Sequence, residues 1–569
     1  MTPVLTRSRS AFFAVVLLAM AGALLWHLAN LQVLPNKEKG FEFLQKQGVA
    51  RSVRQEVLPA YRGKIVDRHG EVLAVSTPVT SIYANPQVFD MERTSELAGA
   101  LGVSHKSLLE KLSHYANKQF VYLARHLPPH LADQILSLDI AGVAGEKEFE
   151  RYYPAGEVTA HLVGFTDIDD QGQEGMELAL NEWLAGSQGV KQVVKDLKGN
   201  VVKDLGVRRA ARSGKDLQLS IDLRLQYLAY RELKNAIAEQ GAASGSIVML
   251  DVHSGEVLAM ANQPSYNPNN RKILHPRQLR NRALTDVFEP GSTMKPFTIV
   301  AALESGKYSP SSTINTSPGY WRVGGKTYSD FKDYGVMDLT TVIKKSSQVA
   351  ISKLAMDLPP DSVRDVFFRV GLGQASGIGF PGEAVGQLPS RSKWHPTERA
   401  AQAFGHGVSV TALQLAQAYT VLANGGVFRS TSILKLDSAP RGERVMKTRQ
   451  TKQVLKMLEA VTEKGGTATR ARIPSYPVAG KTGTTHKIGS GGYADSKYVA
   501  VFAGIAPAND PRIVTVVVVD EPPEEHYYGG EAAAPVFAKA TEGALRILQV
   551  EPTLDRASNE SILNKMAVR

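Results

Sequence analysis

The sequence predicts a mixed α/β protein of several domains behind one membrane-spanning helix, and three observations predict it. From Ser10 to Asn36 the chain has no Asp, Glu, Lys or Arg and includes AFFAVVLLAMAGALLW, and about 20 apolar residues suffice to span a bilayer. Two pairs of strand-like runs, SGSIVMLDVHSGEVLAMAN and YVAVFAGIAPANDPRIVTVVVVDEP, stand far apart in the second part of the chain. The long stretch between them is mostly helical in pattern, so the architecture implied is an antiparallel sheet assembled from the two ends of a domain, with helices between.

Taken in order, residues 1–9 form a short tail and 10–36 a signal anchor. A cleaved signal peptide is the alternative, because Ala21-Gly22-Ala23 looks like a cleavage site. Leu24, Leu25 and Trp26 continue the apolar run past it, however, which favours an uncleaved anchor. Arg7 and Arg9 are answered by Lys37, Lys39 and Lys46 on the other side, so charge does not decide orientation, and the short tail favours an outward-facing bulk. Residues 41–205 mix short β-like runs with helical patches. The basic GVRRAARSGK at 206–215 reads as a connector, 216–550 as a second domain opened by a helix (IDLRLQYLAYRELKNAIAEQ), and 551–569 as a polar tail.

With 569 residues the chain needs more than one core. Its net charge of +11 is diffuse and comes without zinc-finger spacing or an aromatic RNA-binding signature, so nucleic acid is not an expected partner. The absence of cysteine excludes disulfides, a thiolate nucleophile and thiolate metal sites.

The sharpest local feature is FEPGSTMKPF. Ser292 and Lys295 stand at i and i+3 and share a helix face, and Pro296 is tolerated only near a helix start, so Ser292 belongs at a helix N-terminus. A serine there needs a base, and Lys295 is the available amine if its pKa is lowered. Alone, S-x-x-K is a weak signal. It gains weight from Ser346-Ser347-Gln348 in the helical segment IKKSSQVAISK and from Lys481-Thr482-Gly483-Thr484 on a strand-like run, which add serine, lysine and glycine-strand elements in a workable order.

These three elements resemble the S-x-x-K, S-x-N and K-T-G signature of the penicillin-recognising serine enzymes. RGKIVDRHGEVLA, RYYPAGEVTAHLVGF, GQEGMELALNEWLAGSQG and FGHGVSVTALQLAQAYTVLANGG sharpen the resemblance toward class B penicillin-binding proteins. SIYANPQVF and FEPG look like the division-specific septal branch, with the elongation branch as the alternative. The resemblance implies a noncatalytic α+β pedestal of dimerisation type followed by a transpeptidase domain, a five-stranded antiparallel sheet flanked by helices.

It further implies Ser292 as nucleophile and Lys295 as base, kept partly neutral by burial and by the charge of Lys481, with Ser346 relaying a proton to the leaving amine. Gln348, Lys481, Thr482, Gly483 and Thr484 would bind substrate, and the N–H groups of Ser292 and Thr484 would form the oxyanion hole. Peptidoglycan stem peptides and β-lactams are the implied ligands, and a membrane-embedded glycan polymerase and divisome proteins the implied partners at a bacterial inner membrane with the bulk in the periplasm. No metal or cofactor is implied.

Two positions depart from the family pattern: Gln348 stands where asparagine is usual, and His406 where the division branch shows tyrosine. His406 is not expected to be catalytic, since the serine–lysine set already supplies acid and base. Tyr527-Tyr528-Gly529-Gly530 reads either as a lip over the cleft or as core. A β-lactamase, a membrane β-lactam sensor and a scaffold with a decayed site are the competing functions.

Overall fold

The computed structural model describes residues 3–33, 53–195, 201–272, 274–489 and 492–553, with Glu42, Phe43, Lys46 and Gly48. Most of the expected tail at 551–569, and residues 34–36 of the expected anchor, lie outside the described residues. Pro3–Gln32 is one α-helix, starting earlier than its uncharged run. Its Ser8–Gln32 portion, 25 residues, is long and apolar enough to cross a membrane; at about 1.5 Å per residue it exceeds the roughly 30 Å of hydrocarbon. Phe12, Phe13, Leu17, Leu18, Leu24, Leu25 and Trp26 are all exposed, as suits a helix solvated by lipid.

The chain folds into two compact units, and the division is not a single cut. One comprises Met1–Tyr61, Thr77–Glu150 and Gly186–Gly214; the other comprises Arg62–Ser76, Arg151–Ala185 and Lys215–Arg569. This grouping by contacts cuts across the continuous pedestal expected over 41–205. Arg62–Ser76 and Arg151–Ala185 meet the C-terminal segment through the pairing of Ile65 with Leu217 and of Val66 with Gln218, and the Glu177 carboxylate ties the two to each other. It accepts from Arg62 Nε and Arg151 Nε, both at 2.6 Å, and all three side chains are buried. Arg62 also reaches Asn181 Oδ1 at 2.9 Å, and Arg151 reaches Gly63 O at 2.7 Å.

In the first unit, Val53–Leu58, Gly189–Lys195 and Val201–Arg209 form a three-stranded antiparallel sheet. The connector expected at 206–215 is therefore partly strand: Gly206 pairs with Gln192, Arg209 with Val190, and Arg212 bridges Ser187. Its exposed basic residues guard an open strand edge, a role that reads as loop when only charge is counted. A separate small core gathers Ile82, Phe89, Leu97, Leu108, Leu112 and Ile135.

The second unit holds the five-stranded sheet. Its strand order is Val257–Gln263, Ser244–Asp251, Ile513–Asp520, Gly492–Ala506, Ala479–Gly489, every pair antiparallel. The early hairpin is thus completed by the late strands, as the pattern implied. Ser244–Asp251 and Ile513–Asp520 are buried at every position but the last, so both sheet faces are covered. Leu223–Gln240 and Ala534–Ile547 pack together on the sheet, and Ala412–Ala423 packs across its three central strands. Ala479–Gly489 is left as an edge strand, and the chemistry gathers there.

Candidate active site

Pro290 leads into a 3-10 turn, Gly291–Met294, that runs directly into the helix Lys295–Glu304, with Pro296 in its first turn. Ser292 therefore occupies a helix start, as its sequence context predicts. Two glycines let this turn lie against the edge strand. Gly291 has φ +55, and a Cβ there would stand 2.6 Å from Thr485 Cγ2; a Cβ on Gly483 would stand 2.8 Å from Pro290 O. Tyr419, fully buried, donates to Thr293 O at 2.8 Å and fixes the turn from below.

The middle motif differs from its sequence reading. IKKSSQVAISK is not one helix: Leu339–Lys345 ends at Ser346, whose φ of 59 is left-handed, and a new helix, Gln348–Asp357, begins after Ser347. Ser347 Oγ caps that helix by accepting from Ala350 N at 3.0 Å. Asp330, from a loop after the small hairpin Tyr320–Val323/Lys326–Ser329, completes the cap, accepting from Ser347 Oγ at 2.5 Å, Gln348 N at 2.6 Å and Val349 N at 3.2 Å. A carboxylate at a helix N-terminus is stabilised by the unpaired N–H groups there.

The break presents Ser346 to two lysines. Lys295 Nζ donates to the carbonyl of Ser346 and, at 3.1 Å, to its Oγ; Lys481 Nζ reaches the same Oγ at 2.9 Å and Thr482 O at 3.2 Å. Both lysines have no exposed surface. Burial pushes the Lys295 amine down to about 7, with the Asp330 carboxylate opposing it. Burial likewise pushes Lys481 well below the ordinary lysine range, and the charge of Lys295 adds to the effect. For Lys295 the dominant cause is burial, and the opposing charge is Asp330, a residue the sequence reading did not single out.

Ser292, Ser346, Gln348, Thr482 and Thr484 line one cavity of about 700 Å³. Gly483 lies behind it against the turn that carries Ser292. Asp330, Phe331, Lys345, Arg470 and Tyr528 also line it and were not among the predicted site residues. Tyr528 carried a signal in its glycine neighbours; Asp330 and Phe331 come from a loop, Lys345 ends the helix Leu339–Lys345, and Arg470 lies in the 3-10 turn Thr469–Ala471. Tyr528 is half-exposed at the rim, whereas Gly529 and Gly530 are buried and Gly529 N donates to Thr484 Oγ1 at 2.9 Å, so the Tyr-Tyr-Gly-Gly segment is rim at one end and core at the other. The Gln348 carboxamide makes no hydrogen bond among the described residues, and both lysines are engaged by Ser346 instead. Because Ala479–Gly489 is an edge strand, alternate N–H groups along it have no ladder partner and face outward.

A fully antiparallel sheet whose edge strand carries Lys-Thr-Gly-Thr beside a helix-start serine and a lysine-bridged second serine defines a class, the penicillin-recognising serine proteins. Residues 245–542 match the penicillin binding protein transpeptidase domain, and residues 57–219 the penicillin-binding protein dimerisation domain. The chain is 43% identical over 561 residues to the peptidoglycan D,D-transpeptidase FtsI of Escherichia coli, covering 97% of this chain and 94% of that one. It is 42% identical over 542 residues to the probable peptidoglycan D,D-transpeptidase PbpC of Pseudomonas aeruginosa, covering 95% and 94%. Penicillin binding protein 3 from Mycobacterium tuberculosis, in complex with aztreonam, superposes with a TM-score of 0.68 at 28% identity over 88% of this chain and 98% of that one. The chain belongs to the penicillin-binding protein transpeptidase family.

Proposed function

We propose that this protein is a peptidoglycan D,D-transpeptidase of septal wall synthesis, held in the bacterial inner membrane by its N-terminal helix with the chain beyond that helix in the periplasm. Ser292 Oγ attacks the carbonyl of the penultimate D-alanine of a stem peptide and gives its proton to Lys295. Ser346 passes a proton to the nitrogen of the departing D-alanine. The acyl group remains as an ester on Ser292 until an amine from a neighbouring strand takes it, forming the cross-link. The N–H groups of Ser292 and Thr484 hold the carbonyl oxygen as it gains charge, an arrangement worth about 3 kcal/mol in other enzymes. Lys481, Thr482 and Thr484 receive the substrate carboxylate, with Gly483 keeping the strand close to the nucleophile and Gln348 orienting the substrate amide.

The observation that carries this reading is the pair of buried amines on Ser346 Oγ, at 3.1 and 2.9 Å, within one cavity wall of Ser292. A scaffold with a decayed site has no reason to keep two desolvated lysines, each of which costs folding energy. The unit that contains Met1–Tyr61, Thr77–Glu150 and Gly186–Gly214 acts as the noncatalytic pedestal, and it and the anchor meet the glycan polymerase and divisome proteins.

The deciding experiment is mass spectrometry of the full-length protein after penicillin treatment, with Ser292→Ala as control. A stable adduct on Ser292 is expected; labelling elsewhere, or complete turnover within seconds, would refute the reading. A second reading is a conditional paralogue of the septal enzyme, since identity to two differently named transpeptidases, FtsI and PbpC, is nearly equal. Depletion with imaging separates the two, since loss of the main septal enzyme gives filaments and loss of an additional one does not.

A further inference from the structure

Glu289 stands three residues before Ser292 with its side chain buried. Its Oε1 accepts from Gly407 N at 2.7 Å, Tyr493 OH donates to Oε1 and Oε2 at 3.2 and 3.0 Å, and Oε2 lies 3.5 Å from His406 Nδ1. The Glu289 carbonyl accepts from Thr485 Oγ1 at 3.1 Å, and Gly291 N donates to Gly405 O at 3.3 Å. The His406 loop and the edge hairpin are thereby tied to the nucleophile turn. With Nδ1 beside the carboxylate, the free position of the ring is Nε2, which has no protein partner among the described residues; 29% of the His406 side chain remains open to solvent. Nothing in the reaction as described above uses this pair.

The second half of that reaction lacks a proton acceptor. An acceptor amine of lysine type has a pKa near 10.4, so at pH 7 only about one in 2,500 molecules carries the free electron pair. Two protons must leave the nitrogen. As the C–N bond forms and the bond from carbonyl carbon to Ser292 Oγ breaks, one proton goes to Ser292 Oγ by way of Ser346 and Lys295. The other must be removed beforehand, by a different group.

We propose that His406, oriented by Glu289, takes that first proton from the acceptor ammonium at Nε2. The inference rests on the transpeptidase reading. His406 is faced by Glu289 from the turn, Lys295 from its helix, Lys326 from the small hairpin, and His486 and Tyr493 from the edge hairpin. Burial lowers its pKa below the ordinary histidine value; Glu289 opposes this, and the positive charges of Lys326, Lys295 and His486 reinforce it. His406 is therefore neutral and able to accept at neutral pH. Glu289 is a positioning residue: it acts through His406 and never meets the amine.

The test uses full-length protein in detergent, acylated by a thioester analogue of the donor peptide and offered either D-alanine or hydroxylamine. Mass spectrometry gives the share of acyl groups captured by amine rather than water, a ratio read only on acyl-enzyme that has formed and so independent of the folded fraction. His406→Gln is expected to cut capture by D-alanine on the order of 100-fold at pH 7, a deficit that closes as the pH nears the amine's own pKa. Hydroxylamine, unprotonated at pH 7, is expected to show no deficit. Glu289→Gln, which keeps an acceptor for Gly407 N, is expected to give a smaller deficit with the same pH form. A deficit equal for both amines and constant with pH would make His406 merely structural, and undiminished capture would remove it from the reaction; either overturns the inference. If the unsubstituted protein forms no acyl-enzyme at all, the transpeptidase reading falls and the inference with it.

Discussion

If Lys295 is the base for acylation, the rate at which Ser292 takes up a β-lactam must follow the free-amine fraction of Lys295. At the ordinary lysine pKa of about 10.4 that fraction is roughly one in 2,500 at pH 7, whereas at a pKa of about 7 it is one half. Burial therefore enriches the reactive form roughly a thousandfold at neutral pH. The acylation rate should be half-maximal near pH 7 and fall tenfold for each pH unit well below it. Asp330→Asn perturbs this cleanly, because asparagine can still accept from Gln348 N and Val349 N but no longer carries the charge that opposes burial. Losing about 1 kcal/mol of that support lets the Lys295 pKa fall further and moves the midpoint down by roughly 0.7 pH unit. Stopped-flow acylation with a chromogenic cephalosporin across the pH range measures both midpoints. A flat profile in the unsubstituted protein, or an upward shift in the variant, would refute Lys295 as the base.

Gln348→Asn is expected to acylate at least as fast as the unsubstituted protein, and Gln348→Ala markedly more slowly at unchanged melting temperature, because the carboxamide has no hydrogen-bond partner to lose among the described residues and, in the proposed mechanism, it orients the substrate amide; the same stopped-flow assay with a thermal melt checks both. Gly483→Ala forces a Cβ to within 2.8 Å of Pro290 O. The expected cost is about 1–3 kcal/mol of stability and, if the turn shifts by about 1 Å, on the order of 100-fold in acylation rate, read by urea unfolding and by labelling kinetics. Glu177→Gln leaves two buried guanidiniums without their shared charge. It should destabilise the C-terminal unit by about 3–5 kcal/mol, seen as a lower urea midpoint; an unchanged midpoint would mean that the segments around Arg62 and Arg151 are held by something else.

Local patterns made half of this molecule legible. Ser292 and Lys295 three residues apart, Pro296 behind them, and the two β-branched hairpins each impose their own geometry over a few residues, and the structure keeps all of them. What the sequence hid is every feature set by residues distant in the chain. Asp330 precedes the motif it caps by 17 residues from Ser347 and by 18 from Gln348, in a loop whose composition announces nothing. Glu289 could be quoted as part of FEPG, yet its partners Gly407 and Tyr493 lie 118 and 204 residues away. The grouping of the N-terminal segments is hidden for the same reason: Arg62, Arg151 and Glu177 sit in three segments that each match the family pattern, but nothing local announces the ion pairs among them or the pairing of Ile65 with Leu217.

The break at Ser346 shows how such a tertiary demand overrides local preference. By propensity, IKKSSQVAISK can run as one helix, since serine is only mildly unfavourable in a helix interior. Continuing the helix would commit the Ser346 carbonyl to the N–H four residues on and turn its hydroxyl along the helix surface. Placing Ser346 in the left-handed region costs about 1–2 kcal/mol for a residue other than glycine, and it ends the ladder there. The freed carbonyl then accepts from Lys295 Nζ while the hydroxyl accepts from Lys295 and Lys481 together. Two buried amines need such acceptors, because a desolvated ammonium without a partner costs several kcal/mol. Ser347 and Asp330 recover part of the expense by capping the helix that restarts at Gln348. The strained serine is thus the point at which helix termination, lysine desolvation and the placement of a proton-carrying hydroxyl become one structural requirement, which is why glycine, the easier residue for that backbone, would not serve there.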